Sequence, residues 1–177
     1  QEWIGNFLTH TQDNNATFQA MHGYFSGMDT LSVTEQIPFS SERKWSAVTF
    51  SGVGTFVVGA PEKLCPDTTL PELLEYQRAG KRVLLAGITR QTVQKDQPLP
   101  AVQLLAMIVL TDPLRANAAR TIDDFQREGV SVKLISGDNP VTASAVAQQA
   151  GILHGERWVD MRTIDESEID AAAQQYT

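Results

Sequence analysis

The sequence predicts an α/β chain of the α+β kind, built in two parts. An antiparallel-sheet module covers residues 1–104, and a piece of a parallel α/β layer covers residues 105–177. Three observations predict it. The β-rich runs 46–50 and 55–58 flank Ser51-Gly52-Val53-Gly54, the pattern of an antiparallel hairpin. Two further strand-length runs, 81–89 and 102–110, read as an antiparallel continuation. From Thr111 onward, strand and helix alternate across short loops, which is the grammar of a βαβα layer.

Each element has a local reason. Residues 1–36 are polar and Gly-containing, with one predicted helix over 16–25. After the hairpin, Gly59-Ala60-Pro61-Glu62 breaks the second strand. Residues 70–78 predict a helix: Thr69 is a candidate cap, Pro71 suits the first turn, and Leu70, Leu73, Leu74 and Gln77 lie at helical spacing. Gly80 falls just past its end. The loop bearing Pro98 and Pro100 precedes the strand 102–110. That strand stops at Asp112-Pro113, which fit an N-cap and a first helical position. Leu114, Ala118, Ile122 and Phe125 then form an apolar stripe closed by Gly129. Residues 130–135 predict a short strand, and Ser136-Gly137-Asp138-Asn139-Pro140 opens another helix with Asn139 as cap. Val141, Ala145, Val146 and Gln149 line one side of it, and Gly151 stops it. The acidic, Ala/Gln-rich segment 152–177 reads as a final helix or a frayed end. Two parallel strands do not make a stable sheet alone, so this piece either docks on the first module or lacks its neighbours.

Composition excludes several classes. The net charge of −7 argues against a nucleic-acid groove or an anionic membrane surface, while local nucleotide binding needs only a few cations. Hydrophobic residues make up 42% of the chain, enough for a core. The single cysteine, Cys65, forbids an intrachain disulfide and reads as a packed thiol. His10, His22 and His154 show no metal-ligand spacing, so no metal site is assigned. The longest apolar segment, 104–110, falls well short of the roughly 18 residues of a membrane span.

Three constellations carry chemistry. Asp112 and Ser136-Gly137-Asp138-Asn139 follow strands at the edge where open parallel sheets bind ligands. A hydroxyl and backbone N–H groups beside a helix N-terminus cradle a phosphoryl group, and carboxylates there can arrange Mg²⁺. The plainer reading is that Asp112 and Asn139 are helix caps. Phe39-Ser40-Ser41-Glu42-Arg43-Lys44 offers an aromatic face for an adenine ring and cations for phosphates; the alternative is a solvated strand entry with Phe39 in the core. Gly59-Ala60-Pro61-Glu62 lets a ligand approach the backbone closely, or is a simple turn.

In this order the segments resemble the soluble region of P-type ATPases. Phe39-Ser40-Ser41-Glu42-Arg43-Lys44 resembles the family's Phe-Ser-x-x-Arg-Lys motif, and Val58-Gly59-Ala60-Pro61-Glu62 its Lys-Gly-Ala-Pro-Glu motif. Gly80-Lys81-Arg82-Val83-Leu84 is similar to the segment whose arginine contacts nucleotide. Asp112-Pro113-Leu114-Arg115 resembles the Asp-Pro-x-Arg hinge, and Ser136-Gly137-Asp138-Asn139 the Thr-Gly-Asp-Asn motif. The resemblance implies a nucleotide-binding domain over 1–104 and a partial haloacid-dehalogenase-like phosphorylation domain over 105–177. It implies that Phe39 stacks on adenine, that Lys44 and Arg82 meet phosphates or ribose, and that Gly59 lets the ring lie on the backbone. Asp112 and Arg115 would sit at the hinge, Ser136 would face the phosphoryl group, and Asp138 would support the Mg²⁺ and phosphate network.

Two positions depart from the family. Val58 replaces a lysine, and Phe18 stands where an acidic residue near the adenine amino group is expected. Both imply weaker or altered nucleotide binding. The family's phosphorylated aspartate, in Asp-Lys-Thr-Gly-Thr, and its Gly-Asp-Gly-x-x-Asn-Asp motif do not occur in the sequence. Phosphoryl transfer needs nucleophile, metal and charge clamp together, so the stretch itself is expected to hold ATP without catalysis. The resemblance therefore implies part of a cytoplasmic region of an integral membrane pump, in the plasma membrane. Its partners would be ATP, Mg²⁺ and the pump's remaining cytoplasmic and transmembrane domains, with no nucleic acid. The form of the first motif is closer to calcium-type than to heavy-metal pumps. The alternative is a free-standing nucleotide-binding or regulatory module without catalysis. A soluble phosphatase of the haloacid-dehalogenase class is disfavoured, because Asp112 lacks the second aspartate two positions on.

Overall fold

Trp3, Ile4, Phe7 and Leu8 recur three and four residues apart, and they fold into a helix that the polar character of the first 36 residues concealed. In the computed structural model, which describes residues 2–25, 27, 29–66 and 70–176, the elements run in this order. They are α1 (Glu2–His10), α2 (Ala16–Tyr24), β1 (Val33–Ile37), β2 (Trp45–Phe50), β3 (Gly54–Gly59), α3 (Pro61–Leu64), α4 (Pro71–Arg78), β4 (Arg82–Thr89), β5 (Gln103–Leu110), α5 (Ala118–Arg127), α6 (Pro140–Gln149) and α7 (Ile169–Gln175). Two short 3₁₀ turns, Met161–Thr163 and Glu166–Glu168, precede α7. The chain forms two compact units, one of residues 1–69 and 83–108, the other of residues 70–82 and 109–177.

The first unit holds a five-stranded sheet in the order β1-β2-β3-β4-β5. The predicted hairpin is present: β2 and β3 pair antiparallel from Trp45 opposite Gly59 to Phe50 opposite Gly54. β4 extends it antiparallel, with Val58 opposite Ala86. β1, which the sequence reading did not anticipate, adds on the outer side of β2 with a bulge between Val33 and Glu35. Its exposed Thr34, Glu35 and Gln36 hide the period-2 signal, because an edge strand buries little. β3 is central and buried from Thr55 to Gly59, which explains its continuous Val and Phe content.

The core lies between this sheet and the first two helices. Phe7 of α1 packs against Phe56 of β3 at 5.5 Å between ring centroids and against Phe18 of α2 at 6.1 Å. Phe7, Phe18, Phe56 and Val58 are all fully or almost fully buried. Removing one such ring costs about 3–5 kcal/mol. α2 starts where predicted, with the Asn15 side chain accepting from the Phe18 N–H. The buried Asn6 accepts the N–H of Thr30 at 3.1 Å, tying α1 to the segment that leads into β1.

The second unit is mainly helical. α4 begins with Leu70 at the cap and Pro71 at the first position, while the expected cap Thr69 lies outside the described residues. Gly80 follows α4 at φ 74°, the left-handed conformation that ends helices. α6 is capped as predicted: Asn139 Oδ1 accepts from Val141 N–H at 2.9 Å, with Pro140 next. The segment after α4 is stitched to α6, since Gln149 Nε2 donates to Ala79 O at 3.1 Å and the Thr142 hydroxyl to Lys81 O at 3.3 Å.

Two local expectations give way here. Asp112 and Pro113 do not open a helix; α5 starts at Ala118, and residues 111–117 are exposed. Leu114 finds no burial, so a first turn there would gain no apolar contact to offset nucleation. Residues 130–135 form no strand, because among the described residues no neighbouring strand supplies hydrogen bonds. Their alternation survives nonetheless: Val132 and Leu134 pack with Ile122 onto Ala147, Ala150 and Ile152.

Candidate functional site

The first unit gathers its candidate residues around a tight turn. Pro38 and Phe39 leave β1, and the chain reverses over Ser40 to Lys44. The Lys44 N–H donates to Ser40 O at 2.7 Å, and the Arg43 N–H to Ser40 Oγ at 3.1 Å. Lys44 has φ 60°, a left-handed conformation that a non-glycine residue adopts at a cost of about 1–3 kcal/mol. The contacts that hold it come from the second motif. Ala60 N–H donates to Lys44 O at 2.9 Å, and Lys44 Nζ lies 3.0 Å from Glu62 Oε1. Two short motifs eighteen residues apart thus meet at Lys44.

Phe39 presents its ring half-exposed, at 38%, rather than in the core. Its N–H donates to both carboxylate oxygens of Asp13, at 3.0 Å and 3.1 Å. Arg43 is used within the turn: Nη2 donates to Pro38 O at 2.6 Å, and the guanidinium lies 5.4 Å from the Trp45 ring centroid. Lys44 is the turn's other cation, its side chain 23% exposed and its ammonium paired with Glu62.

Gly59 is required by its own neighbours. A Cβ there would come within 2.5 Å of Trp45 Cβ and 2.7 Å of Lys44 O. Leu64 Cδ1 closes the same space at 2.9 Å. The two departures from the family pattern, Phe18 and Val58, are core residues on the helix-covered side of the sheet, where their apolar character fits.

The second unit brings together Arg82, Ser136 and Asp138. Arg82 Nη2 lies 2.8 Å from Asp138 Oδ2, with both side chains about 40% exposed. The Asp138 N–H donates to Ser136 Oγ at 3.1 Å, closing the turn ahead of Asn139. Asp112 and Arg115 lie in the exposed segment before α5, where Arg115 O accepts the Ala118 N–H and the neighbouring Thr111 hydroxyl accepts from Lys81 Nζ at 3.0 Å. Among the described residues no group of three His, Cys, Asp or Glu side chains could hold a metal ion. With the Asp138 carboxylate paired to a guanidinium, the side chains present do not by themselves fit a Mg²⁺ site.

Sequence reasoning missed Asp13 and Glu62 as partners of the turn. Glu62 was legible as part of the second motif. Asp13 carried no signal, because its bond to Phe39 spans 26 residues.

A family model of haloacid dehalogenase-like hydrolases matches residues 33–174. The chain is 37% identical over 174 residues to a probable cation-transporting ATPase, exp7, of Streptococcus pneumoniae, covering 97% of this chain and 22% of that protein. It is 37% identical over 155 residues to the calcium-transporting ATPase CtpE of Mycolicibacterium smegmatis, covering 86% and 19%. It is 30% identical over 151 residues to the mouse polyamine-transporting ATPase 13A2, covering 70% and 12%. The chain thus spans about a fifth of the length of the first two relatives. It belongs to the haloacid dehalogenase-like hydrolase family, and its relatives there are the cation-transporting ATPases of the P type.

Proposed function

We propose that this chain is the ATP-holding stretch of a P-type ATPase that couples ATP hydrolysis to cation transport. Residues 1–104 would serve as the nucleotide-binding domain and residues 105–177 as part of the phosphorylation domain. The observation that carries the reading is the turn from Phe39 to Lys44, where an exposed aromatic residue and an ammonium paired with Glu62 sit in one hydrogen-bonded loop. Phe39 offers a face for the base, and Lys44 a cation for phosphate. Gly59 contributes by letting β3 close against Lys44 and Trp45. In the second unit, Arg82, with Asp112 and Arg115, is assigned to nucleotide contacts by resemblance. Ser136 and Asp138 are assigned to the phosphoryl group.

ATP supplies the phosphoryl group when bound. The chain's own residues orient it and balance its charge. In the whole pump, partner domains would supply the nucleophile and complete the Mg²⁺ site. Exposed apolar side chains of the second unit, Ile135 at 94%, Leu153 at 63% and Phe125 at 51%, support a docking partner of that kind. Calcium is the cation we infer, supported by the relatives named as calcium-transporting. A cytoplasmic position beside the plasma membrane belongs to the same proposal; among the described residues no helix is long and apolar enough to cross a membrane.

The test is an ATP titration of the chain followed by amide NMR shifts. Saturable shifts at Phe39, Lys44 and Gly59, lost in Phe39→Ala, are expected. No shifts at several millimolar ATP, roughly the weakest binding such a titration resolves, would overturn the nucleotide reading.

A further inference from the structure

Asp13 lies in the connection between α1 and α2, outside every motif that the proposed function uses. Its carboxylate accepts the Phe39 N–H through both oxygens, at 3.0 Å and 3.1 Å. Its own geometry is fixed on the other side, since the Thr11 hydroxyl donates to Oδ2 at 3.1 Å and Thr11 N–H continues α1 by donating to Phe7 O at 2.9 Å. Phe7 is wholly buried in the core. An unbroken chain of contacts therefore runs from the core through Thr11 and Asp13 to the backbone of Phe39. The bonds from Arg43 to Pro38 and Ser40 and from Lys44 to Ser40 are internal to residues 38–44, and the far end of the turn is held by Ala60 and Glu62 at Lys44. None of these bonds involves Phe39, whose N–H is held by Asp13.

A carboxylate accepting a backbone N–H makes a charge-assisted bond, stronger than a neutral one. An aromatic platform is useful to a ligand only if its orientation is paid for before binding. We propose that Asp13 is a positioning residue for Phe39, holding the ring at the angle at which a planar nucleobase stacks on it. This rests on the nucleotide reading of the same turn. Asp13 touches no ligand in this role; it acts through the Phe39 backbone.

The experiment compares the whole chain with Asp13→Ala and Asp13→Asn, using ATP as the probe. Two quantities are read: hydrogen exchange of the Phe39 amide without ligand, and ATP affinity from amide shifts. In Asp13→Ala, faster exchange at Phe39 is expected with the sheet amides unchanged, and affinity should fall about tenfold. Asp13→Asn keeps one acceptor oxygen and should restore affinity to within about threefold of the parent, a rescue that general destabilisation would not give. If ATP binds the parent chain and Asp13→Ala equally, with Phe39 still protected, the inference is overturned while the nucleotide reading stands. If the parent binds no ATP, both fall. Should Asp13→Ala not fold, Asp13→Glu, which keeps the charge but displaces the carboxylate by one methylene, decides in its place: faster Phe39 exchange with lower affinity supports the role, and unchanged Phe39 protection with unchanged affinity overturns it.

Discussion

Arg82 and Asp138, fifty-six residues apart in sequence, are joined by an Nη2–Oδ2 contact of 2.8 Å. The pair links the strand entry after α4 to the turn that caps α6. Both side chains remain about 40% exposed, so water screens the attraction. A double-mutant cycle with Arg82→Ala and Asp138→Ala should give a coupling of about 0.2–1 kcal/mol in urea denaturation. A coupling several times larger would mean that the pair is far better shielded than its exposure indicates.

Lys44 combines an unfavourable backbone with a useful charge. Lys44→Gly relieves the φ of 60° and loses the contact with Glu62. These effects oppose each other at about 1 kcal/mol each, so the melting temperature should scarcely move. ATP affinity should fall all the same. Loss of affinity in step with loss of stability would instead assign Lys44 to the scaffold alone.

Gly59→Ala should destabilise the first unit by about 1–3 kcal/mol, because the new methyl group meets Trp45 Cβ and Lys44 O. Tryptophan fluorescence during chemical unfolding would report it. A neutral substitution would show that β3 shifts freely away from the Lys44 turn.

Restoring the family's charges one at a time should fail. Val58 and Phe18 are 2% and 3% exposed, so Val58→Lys or Phe18→Glu buries an ionisable group in an apolar layer. Each should cost about 3 kcal/mol or more and lower the unfolding midpoint sharply. Circular dichroism melts of the two variants would check this, and an unchanged midpoint in either would mean that the position opens to solvent.

The first unit was legible where apolar runs are continuous. β2, β3, β4 and β5 appear within about a residue of their predicted limits: β2, β3 and β4 are largely buried and advertise themselves by Val, Ile and Phe content, and β5, an edge strand, by its continuous apolar run. β1 was not legible, since an exposed edge strand leaves no apolar alternation. α1 was legible in principle from the spacing of Ile4, Phe7 and Leu8, and the surrounding Asn, Thr and Gly residues masked it. In the second unit the caps at Asn139 and Gly129 were readable as local chemistry. The strand at 130–135 was not decidable locally, because a strand exists only with a neighbour. Of the candidate site, the turn residues stood out by type. Their tie to Asp13 did not, because a contact between distant residues has no local signature.

The weaving of the two units bears on how the chain is made. The first unit takes its last two strands from residues 83–108, and the second takes residues 70–82 from the middle of that path. During synthesis the ribosome releases α1 through β3 first, and that sheet gains β4 only after residue 89 and β5 only after residue 110 has emerged. α4 leaves the tunnel before the α6 helix it packs against exists. The first unit is thus complete in sequence at residue 108, with residues 70–82 carried as an excursion until the rest of the second unit is made. The amphipathic α4 must wait, exposed to solvent or to a chaperone, for sequence some seventy residues downstream.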